Sequence, residues 1–329
     1  MASPSELVLR VTRYRLALSA CSLWALGVVG CRDAKPAPEP ALDASPAPPA
    51  SSALQAQDWA RWPMPNTAPG LPNTQSFDPQ PSGVVLDRVT GLVWQRTLDD
   101  QQLTFADATR HCDDLSLAGF DDWRLPSRLE LVSILDTAHV QPAIDSTAFP
   151  NTPNDWFWTS TLAGGDPQSA WYVYFYFGYP KTDLVSNQFS VRCVRSPDAS
   201  HASLAAHYDA KTDTVRDLGT GLTWQRAVPE SLLSFDAAQT YCAGLTLAGK
   251  AGWRAPSLPE LLSLIDDHAV DSPRIDRVAF PDTPGDAFWT SSYFGGTPGL
   301  SWQVYFDHGN GLYGLPSATF RVRCVTASP

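Results

Sequence analysis

One long segment of the chain occurs twice. Gly91-Leu92-Val93-Trp94-Gln95-Arg96 returns as Gly221-Leu222-Thr223-Trp224-Gln225-Arg226, and Trp123-Arg124-Leu125-Pro126-Ser127 as Trp253-Arg254-Ala255-Pro256-Ser257. Phe149-Pro150 returns as Phe280-Pro281, Phe157-Trp158-Thr159-Ser160 as Phe288-Trp289-Thr290-Ser291, and Val191-Arg192-Cys193-Val194 as Val322-Arg323-Cys324-Val325. The offset is 130 in the first half and 131 in the second, so one residue was inserted near Val270 to Pro273. A solenoid unit spans roughly 20–50 residues, so a period this long marks a duplicated domain. Domain one runs over 76–196 and domain two over 207–327, with a polar linker at 197–206. What the copies share is expected to be frame, and what differs is free to specialise.

Each copy opens on a hairpin. In copy one, Val84 to Arg88 and Leu92 to Arg96 are β-rich runs around a turn that Gly91 closes with positive φ. A helix follows: Phe105, Ala108, Cys112 and Leu115 fall at helical spacing behind a Thr104 cap, and Phe235, Ala238, Cys242 and Leu245 repeat it behind Ser234. The tightest motif starts a second helix. Ser127 with Glu130, and Ser257 with Glu260, form capping boxes in which hydroxyl and carboxylate each satisfy an orphan backbone N–H. Trp123, Arg124, Pro126 and Glu130, and likewise Trp253, Arg254, Pro256 and Glu260, are therefore read as structural. Strands are expected over Trp171 to Phe177 and Phe189 to Val194, and over Trp302 to Asp307 and Phe320 to Val325. The order strand, strand, helix, helix, strands makes each copy α+β. With 12 Trp against 2 Met, the composition favours rigid aromatic β packing.

The N-terminus sets the compartment. Arg10, Arg13 and Arg15 precede an apolar run from Leu16 to Gly30, too short for a span of ~20 residues and suited to a signal peptide over 1–30. The run ends in Val28-Val29-Gly30-Cys31, which resembles the bacterial lipobox, and so Cys31 is the expected lipidation site. Arg32 after it lacks the retention Asp, pointing to an outer-membrane lipoprotein, periplasm-facing or at the cell surface. Residues 31–75 form a Pro/Ala/Ser-rich tether expected to be disordered, in which Trp59 and Trp62 dock onto the first domain. Four cysteines remain, matched between copies. An exported protein with one pair per domain is expected to form Cys112–Cys193 and Cys242–Cys324, each closing a loop of about 80 residues and contributing roughly 4 kcal/mol. Reactive or metal-binding thiols are the alternative.

These motifs, in this order and twice over, resemble the Legionella collagen-like C-terminal domain family: a TGL-x-WQ hairpin, a Cys helix, a WRLP-x-x-x-EL helix start, a W-[ST]-S strand and a terminal RCV strand. The RLP-x-x-x-E and RCV elements also resemble formylglycine-generating enzymes and C-type-lectin-like modules. The resemblance implies two tandem C-type-lectin-like domains with paired chain ends. The family's founding member is an adhesin for sulfated glycosaminoglycans. A ligand of that charge requires Lys/Arg clusters. Here the net charge is -11, which excludes a nucleic-acid binder and weighs equally against a sulfated ligand.

No catalytic constellation emerges. The six histidines keep no matched register, and no G-x-S-x-G surrounds Thr159-Ser160 or Thr290-Ser291. Asp87/Asp217, Asp136/Asp266, Asp145/Asp276 and Asp155/Asp286 recur, as turn caps in preference to calcium ligands. No metal or cofactor is expected. The copies diverge before the RCV strand. Period-two geometry puts Tyr172, Tyr174 and Tyr176 on a face opposite Trp171 and Val173, as an exposed aromatic strip or as packing against the neighbouring domain. Copy two presents Gln303, Tyr305 and Asp307, with Tyr313 in a Gly-rich loop. These tyrosines and Asp307 are the candidate ligand-binding residues. The expected protein is a non-catalytic lipoprotein binding a glycan or an envelope or host-surface protein. A diverged formylglycine-generating-type or calcium-dependent enzyme, and a purely structural envelope protein, are the alternatives.

Overall fold

The structure is a computed structural model that describes residues 59–197 and 207–327. The expected signal peptide, Cys31 and most of the expected tether lie outside the described residues, as does the linker beyond Pro197.

The two copies build the same set of elements. In copy one, β1 (Phe77–Pro79), β2 (Val84–Asp87), β3 (Val93–Gln95) and β7 (Val194–Arg195) form an antiparallel sheet in that order, so the end of the copy pairs with its beginning. Between them come α1 (Phe105–Asp113), α2 (Arg128–Ser133) and a second sheet of β4 (Trp156–Ala163), β5 (Asp166–Tyr174) and β6 (Tyr179–Leu184). Copy two repeats this with β8 (Tyr208–Ala210), β9 (Thr214–Asp217), β10 (Leu222–Gln225) and β14 (Val325–Ala327), α3 (Phe235–Ala243), α4 (Leu258–Leu262), and β11 (Ala287–Tyr293), β12 (Ser301–Tyr305) and β13 (Gly311–Gly314). The protein is two tandem domains of mostly antiparallel sheet with few helices.

The local signals act as their chemistry requires. Asp87 accepts from the Val89 and Thr90 amides and closes the first turn, where Gly91 sits at φ +75°. Asp217 does the same for Gly219 and Thr220. Thr104 and Ser234 cap α1 and α3, and both capping boxes are formed. The disulfides are Cys112–Cys193 and Cys242–Cys324, each tying the first helix to the end of its copy.

The terminal strand is shorter than expected. Only Val194–Arg195 and Val325–Ala327 pair regularly, while Phe189 and Ser190 make isolated bridges. The reason is side-chain substitution in the ladder: Gln95 Oε1 accepts from the Cys193 amide, and Gln225 Oε1 from that of Cys324. The preceding arginine turns inward. Arg192 is fully buried, lies over the Phe149 ring and donates to Gln95 O, Arg96 O and Thr152 Oγ1. Arg323 repeats this over Phe280 with Gln225 O, Arg226 O and Thr283 Oγ1. Thus the shared Trp-Gln, Phe-Pro and Arg-Cys-Val motifs, far apart in sequence, are parts of one lock.

The copies share a core. One buried cluster runs from Val85, Leu131 and Phe157 of copy one through Leu261, Phe288 and Trp302 of copy two. Their contact is reciprocal. Gly164 N donates to Asp267 O, and its counterpart Gly295 N donates to Thr137 O, the counterpart carbonyl. A Cβ on Gly164 would lie 2.5 Å from His268 backbone atoms, and one on Gly295 2.2 Å from Ala138 O, so both positions require glycine. The symmetry breaks at a charged crossing. Arg128, where copy two has Leu258, reaches across to Asp267 (2.5 Å) and to Leu262 O, and lies over Trp171.

The segment before copy one corrects the reading of 31–75 as disordered throughout. Residues 59–75 are packed, with Ala60, Trp62, Met64 and Asn66 buried. Asn66 Nδ2 donates to Glu260 Oε1, and Gln75 Nε2 to Ser133 O and Leu135 O, so this strap crosses both copies. Trp59 stacks on His207 at the start of domain two, where the sequence had suggested domain one. Its apolar residues bury surface that neither copy covers alone.

Candidate functional site

The shared polar motifs serve the frame. Arg124 grips Glu130 through two bonds of 2.7 and 2.6 Å, and Arg254 grips Glu260 through two of 2.7 Å. Burial opposes the charge on Glu130, yet Arg124 and the Ser127 amide hold its carboxyl below the usual glutamate range. Trp123 Nε1 donates to Leu117 O, and Trp253 Nε1 to Lys250 O. The Pro126 and Pro256 carbonyls accept from Ser160 N and Ser291 N. Thr159 and Thr290 hydroxyls donate to Trp171 O and Trp302 O. Each of these groups has a hydrogen-bond partner within its own copy.

The recurring acids have local partners too. Asp145 accepts from the Thr147 and Ala148 amides and Asp276 from those of Val278 and Ala279, while Asp136 and Asp266 cap the turns that follow them. Burial pushes Asp87 up and Asp217 up to about 6, against the turn amides that each accepts from. Among the described residues, no group of three or more His, Cys, Asp or Glu is placed to hold a metal, and no helix is long and apolar enough to cross a membrane.

The tyrosine strip is only partly exposed. Tyr172 is 6% exposed and packs on Phe189 inside a second core around the Cys112–Cys193 disulfide. The alternation argument failed because the β4–β5–β6 sheet is covered on both faces, one by the shared core and one by the disulfide layer. Tyr313, expected in a Gly-rich loop, lies on β13 and takes the other course left open for these tyrosines: it stacks on Phe294 (3.9 Å, 7°) and meets Phe177, in the aromatic seam between copies. Tyr174 and Tyr176 do emerge, at the end of β5 and in the turn after it.

There they form a ladder with a residue that the strand pattern did not single out. Trp156, 39% exposed, lies opposite Tyr174 in the register and stacks on it (5.2 Å, 17°), and Tyr174 stacks on Tyr176 (5.7 Å, 16°). Polar groups line its edge. Asp155 accepts from Gln102 Nε2 and Ser190 Oγ, and Gln141 Nε2 donates to Tyr176 Oη. Burial, then the charges of Tyr176 and Asp155, raise the Tyr174 phenol, so it remains a donor at neutral pH. The signal for Trp156 was available in its lack of a counterpart: copy two has Ala287.

That one difference reshapes the same place in copy two. Ala287 lies opposite Tyr305, as Trp156 does opposite Tyr174. With no indole there, a cleft of about 290 Å³ opens, lined by Ala287, Tyr305, Phe320 and Leu232, with Asp286 and Asp307 at its rim. Asp307 stands where copy one has Tyr176. Burial, then the Asp307 charge, raise the Tyr305 phenol. A flat aromatic ladder and an open acidic-rimmed cleft occupy equivalent ends of the two copies.

Such a molecule is a tandem pair of disulfide-framed α+β modules, with a duplicated frame and unlike exposed ends. The chain belongs to the Lcl C-terminal domain family, whose pattern matches twice in tandem, over residues 83–195 and 213–326. No curated protein matches it.

Proposed function

We propose that this is a non-catalytic cell-envelope lipoprotein that recognises glycans, held to the outer membrane through Cys31, with each repeat a C-type-lectin-like module. The observation that carries the reading is the ladder Trp156–Tyr174–Tyr176. Stacked rings at a surface offer an apolar platform of low conformational entropy, and a pyranose presents a matching apolar C–H face. The carboxylate of Asp155 and the amides of Gln102 and Gln141 stand at its edge for hydroxyl groups. The fold supports the lectin-like assignment by pairing the chain ends of each copy, β3 with β7 and β10 with β14. The absence of catalysis is supported by where the matched groups go: cysteines into disulfides, and the acids named above into caps and turns. An acidic chain of net charge -11 favours neutral over sulfated sugars.

The experiment is a screen of the full chain on an array of neutral glycans, followed by titration of the best ligand against Trp156→Ala. A loss of affinity of tenfold or more, with an unchanged unfolding midpoint, is the expected result. Binding that survives the substitution, or no glycan bound at all, overturns the platform.

A further inference from the structure

Copy one carries an internal template for what the copy-two cleft lacks. In copy one the Trp156 indole rests on Tyr174 (5.2 Å, 17°) and against Phe189 (5.6 Å, 38°). Both neighbours are kept in copy two, as Tyr305 and Phe320, in the same strand register, while the indole is replaced by the methyl of Ala287. The wall is also more apolar than in copy one, because Leu232 stands where Gln102 stood. Its rim is more acidic, because Asp307 replaces Tyr176 beside the retained Asp286. Both carboxylates reach solvent, with their side chains about half exposed. Asp286 is partly neutralised by Arg321, which leaves Asp307 as the carboxylate facing a ligand's charge, with His308 alone beside it.

We infer that the copy-two cleft is a second binding site, which takes an aromatic side chain of a protein or peptide partner in the position of the missing indole, with a neighbouring basic residue of that partner against Asp307. The inference does not rest on the glycan reading, which concerns the other copy. Three features select an aromatic residue over a sugar. The space is the one that a tryptophan of this chain fills in the other copy. The surfaces that held the indole in copy one, the Tyr305 ring, the Phe320 ring and Ala287, are apolar, and hydroxyl groups set against them without partners are costly. The rim carboxylates complement a positive charge, and desolvated aromatic and basic anchors are what dominate protein interfaces.

The test titrates the full chain with two probes, the blocked dipeptide N-acetyl-Lys-Trp-amide and the monosaccharide N-acetylglucosamine, following chemical shifts of the protein. The dipeptide is expected to shift resonances of Tyr305 and Phe320, and the sugar is not. Ala287→Trp supplies the missing indole from within and is expected to weaken dipeptide binding at least tenfold while leaving the unfolding midpoint unchanged or higher. Asp307→Lys, an exposed change that spares the core, is expected to weaken it at least fivefold and guards against misfolding of the first variant. Trp156→Ala should leave dipeptide binding at Tyr305 and Phe320 unchanged, which separates this site from the glycan platform. Equal binding to wild type and both copy-two variants overturns the inference, as does a cleft that prefers the sugar or binds neither probe.

Discussion

Copy one and copy two agree wherever a residue locks the frame and part at their exposed ends and at the side chains that cross between them. Arg192 and Arg323 make the same three hydrogen bonds over equivalent phenylalanines. Trp156 and Ala287, by contrast, hold the same register position and produce a filled platform in one case and a cleft in the other. At the seam, Arg128 and Leu258 stand at equivalent positions, and so do Thr137 and Asp267, but only one of the two possible crossings is charged. The difference teaches that duplication preserved folding instructions and released the surface. It also made the two halves dependent: a domain that keeps its own disulfide and capping box now shares its core with its neighbour and with the strap.

That dependence is open to test at the charged crossing, where the effect is largest. Arg128 is fully buried, and its carboxylate partner Asp267 is nearly so, with burial raising the acid and Arg128 opposing the rise. Removing one partner strands the other, so Arg128→Ala is expected to cost about 3–5 kcal/mol in urea unfolding of the full chain. Restoring the apolar and neutral residues of the opposite crossing, Arg128→Leu with Asp267→Thr, should return most of that loss, because replacing a buried pair wholly by uncharged groups is often close to neutral. If the double variant is as unstable as the single one, the charge is not what distinguishes the two crossings. The reciprocal glycines come next. Gly164→Ala and Gly295→Ala each drive a methyl into backbone of the other copy and are expected to cost about 1–3 kcal/mol, as overpacking does. A cost confined to one of them would show that the seam is less symmetric than its hydrogen bonds.

Much of the frame was legible because its signals are local. Ser127 with Glu130 lies within one helical turn, and Asp87 caps a turn two and three residues on, so spacing alone specifies the bond. The disulfides followed from one matched pair of cysteines per copy, on the expectation of an exported chain. Gln95 and Arg192 were visible as pieces of shared motifs, but their mutual lock, which Thr152 completes, spans almost a hundred residues and no periodicity encodes it. The tyrosine alternation was real and its environment was misjudged: period two says which residues share a face, and cannot say that both faces of β5 are covered. Thus Tyr172 went to the disulfide core, Tyr313 to the seam, Tyr174 and Tyr176 to the surface ladder, and Tyr305 to the copy-two cleft. Only Trp59 and Trp62 hinted at the strap, because proline-rich composition describes residues 31–58 and 59–75 alike, while the burial of Met64 and Asn66 depends on both copies being in place. The glycine pair, Gly164 and Gly295, was readable as a copy-matched position within paired glycines, yet only the facing backbone explains it.

The smallest effect concerns the most similar pair of groups, Glu130 and Glu260. Both close a capping box and take two bonds from an arginine, but Glu260 also accepts from Asn66 of the strap, and its arginine is the less exposed of the two. Burial resists the charge on Glu130, and Arg124 with the Ser127 backbone overcomes it, so its folded pKa lies below the ordinary value of 4.5. A carboxylate so placed contributes stability above the unfolded value, and that contribution fades as pH falls through the folded one. Glu130→Gln is therefore expected to cost about 1 kcal/mol at pH 7, the worth of a cap, and the gap to wild type should narrow below pH 4.5. Urea midpoints of both proteins at pH 7 and pH 3 measure it. A gap of the same size at both values would mean that Glu130 acts through shape alone, and that its arginine, 42% exposed against 23% in copy two, is too well solvated to matter.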